Sequence, residues 1–501
     1  MAASAPRRDL LTLALAAATA GLLPPGAQAA PDKALIVAKP TDVPTLDPSF
    51  DISDVGQGMF KALYDQLTII GPDGSVLPGL AERWEGNADA TEWRFTLRGN
   101  ARFHDGRPVT AEDVLFTWQR YMGNNALPPF TYAAPVAAVT APAPDTVVFR
   151  LKAPFAPFDR HTSLISILPK HAYPVTAPAP FATAPIGSGP YRVVEWVRDD
   201  RLVLEAHGGY WAGKPPIERV IVKPLPNEHS RAAGLRSGEL DIVPSLPPLA
   251  VQQLRGDSGV TVVTVPSIRT IYMGFNVKNP VLADLRLRRA VDMAIDRELI
   301  VTRLLRGLGK AEGQLVAPVT FGYDPAIRPT AYSPDQARAL VKESGYDGAA
   351  ILLQYPSNRW PFATEVAQAI GNFLQRVGIK VELQGMEYAA MFPLWAAQGM
   401  PGMHIFGYGP TIMDATVLLN SLINTRTVWH DDIARRLYAE QLAMTDLRQR
   451  QAKISALWAR IRDQVPYAPL YNEFQAYGVR KGVNFTPRAD EVVDFARVTY
   501  S

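Results

Sequence analysis

The stretch Phe103–Trp118, FHDGRPVTAEDVLFTW, sets His104 beside Asp105 and a glycine. An imidazole next to a carboxylate can serve a hydrolytic relay, in which the acid orients the ring and the ring moves a proton, or it can serve a metal. Each use needs a further group. A relay needs a nucleophile, and Gly187-Ser188-Gly189 lacks the G-x-S-x-G spacing of a nucleophile elbow. A metal needs ligands at fixed spacing; there is no H-E-x-x-H, and His161, His171, His404 and His430 are scattered. The chain has no cysteine, which excludes thiolate metal sites, thiol nucleophiles and disulfides. His104 and Asp105 therefore read as a turn. Asp105-Gly106 is turn chemistry, and Thr110 with Glu112 and Asp113 opens a helix whose buried stripe is Val114, Leu115 and Trp118. The expectation is a protein with no catalytic residue, cofactor or metal. A secreted hydrolase is the distant alternative, supported only by size, export and scattered His, Asp and Ser.

The elements around this turn alternate. Residues 34–38 read as a buried strand, and 55–67 carry apolar positions at helical spacing. Residues 92–98 alternate as a half-buried strand, 145–151 form another, and 190–197 with 201–206 make a hairpin. A strand at 217–224, a helix at 227–237 stopped by Gly238 and a strand at 240–244 argue for an α/β layout. A second α/β unit follows. It has a strand at 270–277, a long helix capped by Asp284 and closed by Gly307, a helix at 333–344, a strand at 350–355, a helix at 361–377, a strand at 379–383 and two helices within 432–463.

The 501 residues imply several domains or one multi-lobed unit. The first 29 read as a cleaved targeting peptide, with Arg7 and Arg8, an apolar run Leu10–Leu23 and a small-residue site at Ala27-Gln28-Ala29. The paired arginines resemble a twin-arginine signal, with an ordinary secretory signal as the close alternative. No cysteine follows it, so the mature chain is expected free in the periplasm rather than lipid-anchored. Its formal charge falls from +3 to +2, which gives no electrostatic case for nucleic acid.

Seven stretches then carry a family resemblance: PGLAERWEG (78–86), WRFTLRGNARFHDGRPVTAEDVLFTW (93–118), IGSGPYRVVEW (186–196), GYWAGKPPIERVIVKPLP (209–226), LRSGELDIV (235–243), IYMGFNVKNPVLADLRLRRAVDMAIDRELIV (271–301) and FLQRVGIKVELQGMEYAAMF (373–392). In this order the chain resembles the extracellular solute-binding proteins of the dipeptide/oligopeptide/nickel class, family 5, which serve ABC importers. The resemblance implies the type II periplasmic-binding-protein fold, two lobes with a hinge and an extra domain inserted in lobe I. It places lobe I at 30–73, 186–269 and 471–501, the inserted domain II at 74–185, and lobe II at 270–470. The hinge is expected near 268–274 and 468–476. The implied partners are a small-molecule or peptide ligand and the permease subunits of the inner membrane, with the protein a monomer.

In peptide-binding members of that family an acidic residue of lobe II takes the ligand's ammonium group. The comparable segment is 405–415, where Tyr408 stands near the usual aromatic and Asp414 is the only acid, followed by Ala415 instead of proline. Asp414 either holds an ammonium or caps a helix at 415–423. The other candidate ligand residues are Leu46 and Asp47, Ser188 and Gly189 in a tight turn, Tyr272 and Asn276, Asn358 and Trp360, and Trp395. A di- or oligopeptide is the expected ligand; a sugar, an opine-like molecule or a nickel chelate is the alternative.

Overall fold

The computed structural model describes residues 34–174 and 181–501. The expected signal peptide lies outside the described residues. The fold is α/β and is organised by one mixed sheet that runs through both halves of the molecule. From one edge its strands are Val381–Met386, Ile351–Pro356, Met403–Tyr408, Val260–Phe275, Tyr467–Arg480, Ile242–Val243, Leu35–Lys39, Arg219–Pro224, Arg201–Ala206 and Tyr191–Val197. Gly309–Ala311 pairs with Tyr467–Arg480 off this path.

Two strands carry the chain from one half to the other. Val260–Phe275 and Tyr467–Arg480 pair antiparallel over nearly their whole length, and their register slips between Pro266 and Thr270. Proline cannot donate to a ladder, so Pro266 suits a bulge. The Asn472 amide repairs the gap by donating to the carbonyls of Ser267 and Arg269, each at 2.7 Å. At sequence level only the second half of the first strand stood out, and Tyr467–Arg480 did not; each strand changes surroundings midway, which blurs its period.

Two apolar cores lie on either side of this crossing. One gathers residues between Ile271 and Tyr471. The other gathers residues from Leu35 to Val265 and returns at Tyr477–Tyr500. The second core also takes in the antiparallel sheet Ala81–Gly86, Glu92–Leu97, Thr146–Leu151 and Val136–Ala143. The helix Ala111–Met122 packs there, with the Trp118 ring 4.8 Å from Phe149 and 5.9 Å from Phe158. Thr110 and Asp113 cap that helix reciprocally: the Asp113 carboxylate accepts from the Thr110 N–H at 2.9 Å.

One expected element is divided. The helix opened by Asp284 ends at Ala294, and Asp296 caps a second helical start at Arg297, which continues to Leu304. The buried Arg297 sits at the break. Its guanidinium donates to the carbonyls of Asp292 (2.9 Å), Ile295 (3.2 Å) and Pro469 (2.7 Å).

Candidate functional site

The register of the sheet shows where a site can form. In the first half Leu35–Lys39 runs parallel to Arg219–Pro224 and Ile242–Val243. In the second half Ile351–Pro356 runs parallel to Val381–Met386 and Met403–Tyr408. Val243 lies opposite Gly478 and Tyr408 opposite Thr270, so both parallel sets point their carboxyl ends at the middle of the crossing strands. In open α/β sheets ligands sit outside the carboxyl ends of the strands. Here two such edges face one another, and the connections that leave them form the walls.

The wall on the second half rests on a buried aromatic cluster, in which Trp360, Trp395 and Phe406 belong to the core while Tyr388 and Tyr408 are half-buried. Trp395 stacks on Phe406 with centroids 4.1 Å apart and planes 9° apart. Tyr388 stacks on the same ring at 6.0 Å, Trp360 meets it edge-on at 6.0 Å, and Tyr408 stands 6.5 Å from Trp395. A guanidinium sits at each end. Arg359 lies 5.4 Å from the Tyr388 ring, and Arg426 lies 4.9 Å from Trp395 and 5.6 Å from Phe392.

The opposite wall comes from the loop after Lys39 and the helix Asp54–Leu63, whose N-cap is Ser53. Asp54, in its first turn, reaches across to Arg359 at 3.8 Å. Asp54 and Asp51 also bear on the buried Tyr132 hydroxyl, whose pKa rises mainly through burial. On the crossing strands Arg269 donates to Glu473 and Glu491, both at 3.1 Å. Burial pulls the Arg269 pKa down, and the two carboxylates, Glu491 foremost, more than offset it. Lys39, at the end of its strand, is lowered by burial, with Glu491 and Asp490 opposing.

The residues singled out from sequence divide sharply. Asn358, Trp360, Trp395 and Tyr408 come together at the aromatic wall. The Asn358 amide donates to Glu387, and its oxygen accepts from the Tyr388 N–H at 2.9 Å. Tyr272 lies behind the wall, fully buried, 5.7 Å from Tyr467 and 6.3 Å from Phe406. Asn276 shapes a turn, donating to the Met400 carbonyl at 2.9 Å.

The others serve the architecture. Leu46 is buried in the second core, and its carbonyl accepts from the Tyr64 hydroxyl at 2.8 Å. The Asp47 carboxylate accepts from the Tyr173 hydroxyl at 2.7 Å and the Ser49 N–H at 2.9 Å, with its pKa raised by burial. Ser188 is fully buried, and its hydroxyl accepts from the Asp65 N–H at 3.2 Å. A Cβ on Gly189 would lie 2.5 Å from the Leu63 carbonyl carbon, and one on Gly187 would lie 1.9 Å from the Leu63 oxygen. These glycines admit another stretch of backbone rather than a ligand.

Asp414 is the largest correction. It is fully buried at the N-cap of the helix Ala415–Asn420, where its Oδ1 accepts from the Thr416 N–H at 2.9 Å. Arg450 grips both oxygens, at 2.8 and 2.6 Å, and Arg160 of the other core approaches to 3.7 Å. Burial pushes the Asp414 pKa up, and Arg450, then Arg160, carry it below the ordinary carboxylate value. Arg450 already grips the carboxylate and Arg160 stands beside it, so the capping alternative describes this residue as it stands in the structure.

The opening pair is also structural. The His104 ring holds the 187–189 turn: its Nδ1 accepts from the Gly187 N–H at 3.2 Å, and its Nε2 lies 3.1 Å from the Gly189 carbonyl. That arrangement requires the proton on Nε2. Asp105 turns away and meets His171 at 2.7 Å. His161 contacts the Tyr132 carbonyl at 2.6 Å and His430 contacts Arg435. Among the described residues no group of three or more His, Cys, Asp or Glu side chains could hold a metal ion.

Sequence reasoning missed Asp54, Arg359 and Tyr388. All three stand within three residues of a strand end or helix cap, which is the signal a topological reading would have used. A separate cavity of about 350 Å³ lies within the first half, between the helix Asp54–Leu63 and the segment Val492–Arg497, away from the facing strand ends.

The chain belongs to the bacterial extracellular solute-binding proteins, family 5, whose middle-region model matches residues 75–428. It is 28% identical over 509 residues to the probable D,D-dipeptide-binding periplasmic protein DdpA of Escherichia coli K12, covering 97% of each chain. It is 25% identical over 497 residues to the periplasmic murein peptide-binding protein MppA of the same organism, covering 92% of each. Among solved structures, HbpA2 of Haemophilus parasuis superposes with a TM-score of 0.86 at 23% identity, over 94% of this chain and all of that one. The type II periplasmic-binding-protein fold expected from sequence is thereby shown.

Proposed function

We propose that the protein is the non-catalytic, periplasmic substrate-binding component of an ABC importer. It captures a di- or oligopeptide between two closing lobes and delivers it to the inner-membrane permease. The observation that carries this reading is the pair of facing strand ends, joined by two crossing strands and spanned by Asp54 and Arg359. A hinge at the slipped register of those strands lets the walls approach without repacking either core. Lobe I comprises 30–73, 186–269 and 471–501 with domain II inserted at 74–185; lobe II comprises 270–470. The carrier is a monomer, released by cleavage of its signal and not lipid-anchored. Ligand binding closes the lobes only as far as it favours the closed form.

The peptide-binding relatives support the ligand class, and the half-buried Tyr388 and Tyr408 supply stacking for side chains, with Arg359 beside Tyr388. Mass spectrometry of the mature protein from its own periplasm, native against denatured, tests this. A retained peptide mass is expected. A retained sugar, opine or metal chelate would overturn the peptide assignment, and a purified protein that turned its ligand over would overturn the non-catalytic one.

A further inference from the structure

The two halves also meet along a seam beside the facing strand ends. At the slipped register of the crossing strands, Ile268 packs with Ile70 and Ala489 of the first half and with Met413 of the second. The seam continues at the turn of Gly74, where an added Cβ would lie 2.3 Å from the Val319 carbonyl oxygen. It reaches the end of the helix Asp432–Leu442, where the Ala156 N–H donates to the Leu442 carbonyl at 2.7 Å. Arg160 crosses it. Its Nη1 donates to the carbonyls of Ile412 (3.5 Å) and Met413 (3.4 Å), and its Nε stands 3.7 Å from the Asp414 carboxylate. The Phe321 ring lies under both guanidiniums, 5.6 Å from Arg160 and 4.7 Å from Arg450.

The charges on this seam are held more tightly on their own sides than across it. Arg160 donates to the Gly74 carbonyl of its own half at 2.6 Å. Asp414 accepts from Arg450 at 2.8 and 2.6 Å and from the Thr416 N–H at 2.9 Å, all within the second half. Parting the seam therefore leaves neither charge uncompensated: Asp414 keeps its bidentate partner, and Arg160 keeps a carbonyl and gains water. A contact of that kind can be made and broken without disturbing either core. Nor can Arg160 ride along with the second half. The inserted domain that carries it shares one core with lobe I. Tyr173 on Asp47 and His104 on the 187–189 turn tie the two together. Rotation at the crossing strands must open the seam.

We propose that Arg160 is a latch. Seated against Asp414 and Phe321, it holds the lobes together before any ligand arrives, and so sets ligand affinity without touching the ligand. This inference rests on the two-lobe carrier reading and adds to it a closing contact that belongs to the protein alone. A ligand that binds the closed form gains apparent affinity in proportion to the fraction of empty protein already closed. Arg160 raises that fraction and is thereby a positioning residue for capture.

The test compares the parent with Arg160→Gln by small-angle X-ray scattering of the empty proteins and by titration calorimetry with a mixed library of unmodified dipeptides and tripeptides. The empty parent should scatter as the closed form, and empty Arg160→Gln should have a larger radius of gyration. The variant should bind the library about 10-fold more weakly, and saturation should return its scattering to that of the parent. Thermal midpoints check that it remains folded; should it not fold, Arg160→Lys, which keeps the charge and loses the planar fork, carries the same comparison. Equal radii of gyration for the two empty proteins, whether both compact or both extended, would overturn the latch. A lower midpoint with unchanged scattering and affinity would make Arg160 a structural residue only. The empty proteins decide the latch by themselves, so its failure leaves the carrier reading standing. If the parent neither binds the library nor retains a peptide, the peptide reading fails, and the scattering of the empty proteins still decides the latch.

Discussion

Asp54 and Asp414 are both aspartates at the start of a helix, one on each side of the cleft, and they have opposite fates. Asp414 is fully buried, caps its helix and is held by two guanidiniums. Asp54 is largely exposed and meets one guanidinium at 3.8 Å. The buried carboxylate must be saturated because an unpaired charge in the interior is costly, and a saturated group has nothing left to offer a ligand. The exposed one gains little from its partner and is free to exchange it. An acid's value to a binding site therefore depends on what its surroundings leave unsatisfied.

The contrast breaks most visibly at Arg450. Arg450→Met should leave Asp414 buried with Arg160 as its only cation and destabilise the protein by about 3–5 kcal/mol in chemical denaturation. A loss below about 1 kcal/mol would mean that Asp414 is not locked. Arg160 comes second. It donates to the Gly74 carbonyl at 2.6 Å and touches the segment before Asp414 from the other core. Arg160→Met should cost about 1–3 kcal/mol, the range for a charge-assisted hydrogen bond. A neutral result would assign Asp414 to Arg450 alone.

Two imidazoles extend the comparison to pH. His404 is buried behind the aromatic wall with neither ring nitrogen partnered among the described residues, and burial lowers its pKa from 6.5 to about 4. Burial lowers His104 likewise to about 4, against the Gly189 carbonyl. Above pH 6.5 the rings are neutral in both folded and unfolded chains. As pH falls from 6.5 toward 4 the unfolded chain takes up protons that the folded chain refuses, so stability is lost. Asp65, raised by burial to about 6, acts in the reverse sense. The variant His404→Leu isolates the histidine term: its stability should decline less steeply than the parent's between pH 6.5 and 4.5. Parallel declines would refute the assignment. The smallest effect is expected at Asp54 itself, where Asp54→Asn should change stability by no more than about 0.5 kcal/mol. A larger loss would make it a structural residue.

Much of this was legible in the sequence, for local reasons. The cap at Thr110, the stop at Gly238, the turn at His104 and the strand–helix alternation are written in short-range chemistry. Asp414 was legible as a cap, because a cap is local; its lock was not, because Arg450 and Arg160 are far away along the chain. The close approach at Gly187 and Gly189 looked like room for a ligand, but the body that approaches is the Leu63 backbone. Asp54 and Arg359 were invisible because they are ordinary surface residues until the crossing strands bring the two strand-end edges together.

Hydrogen–deuterium exchange with and without the dipeptide and tripeptide library tests the central claim most directly. The account predicts ligand-dependent protection at residues 52–60, 357–362, 386–395 and 406–409, with little change at 210–215 and 492–497. Protection confined to those last two segments, which line the cavity of the first half, would contradict it.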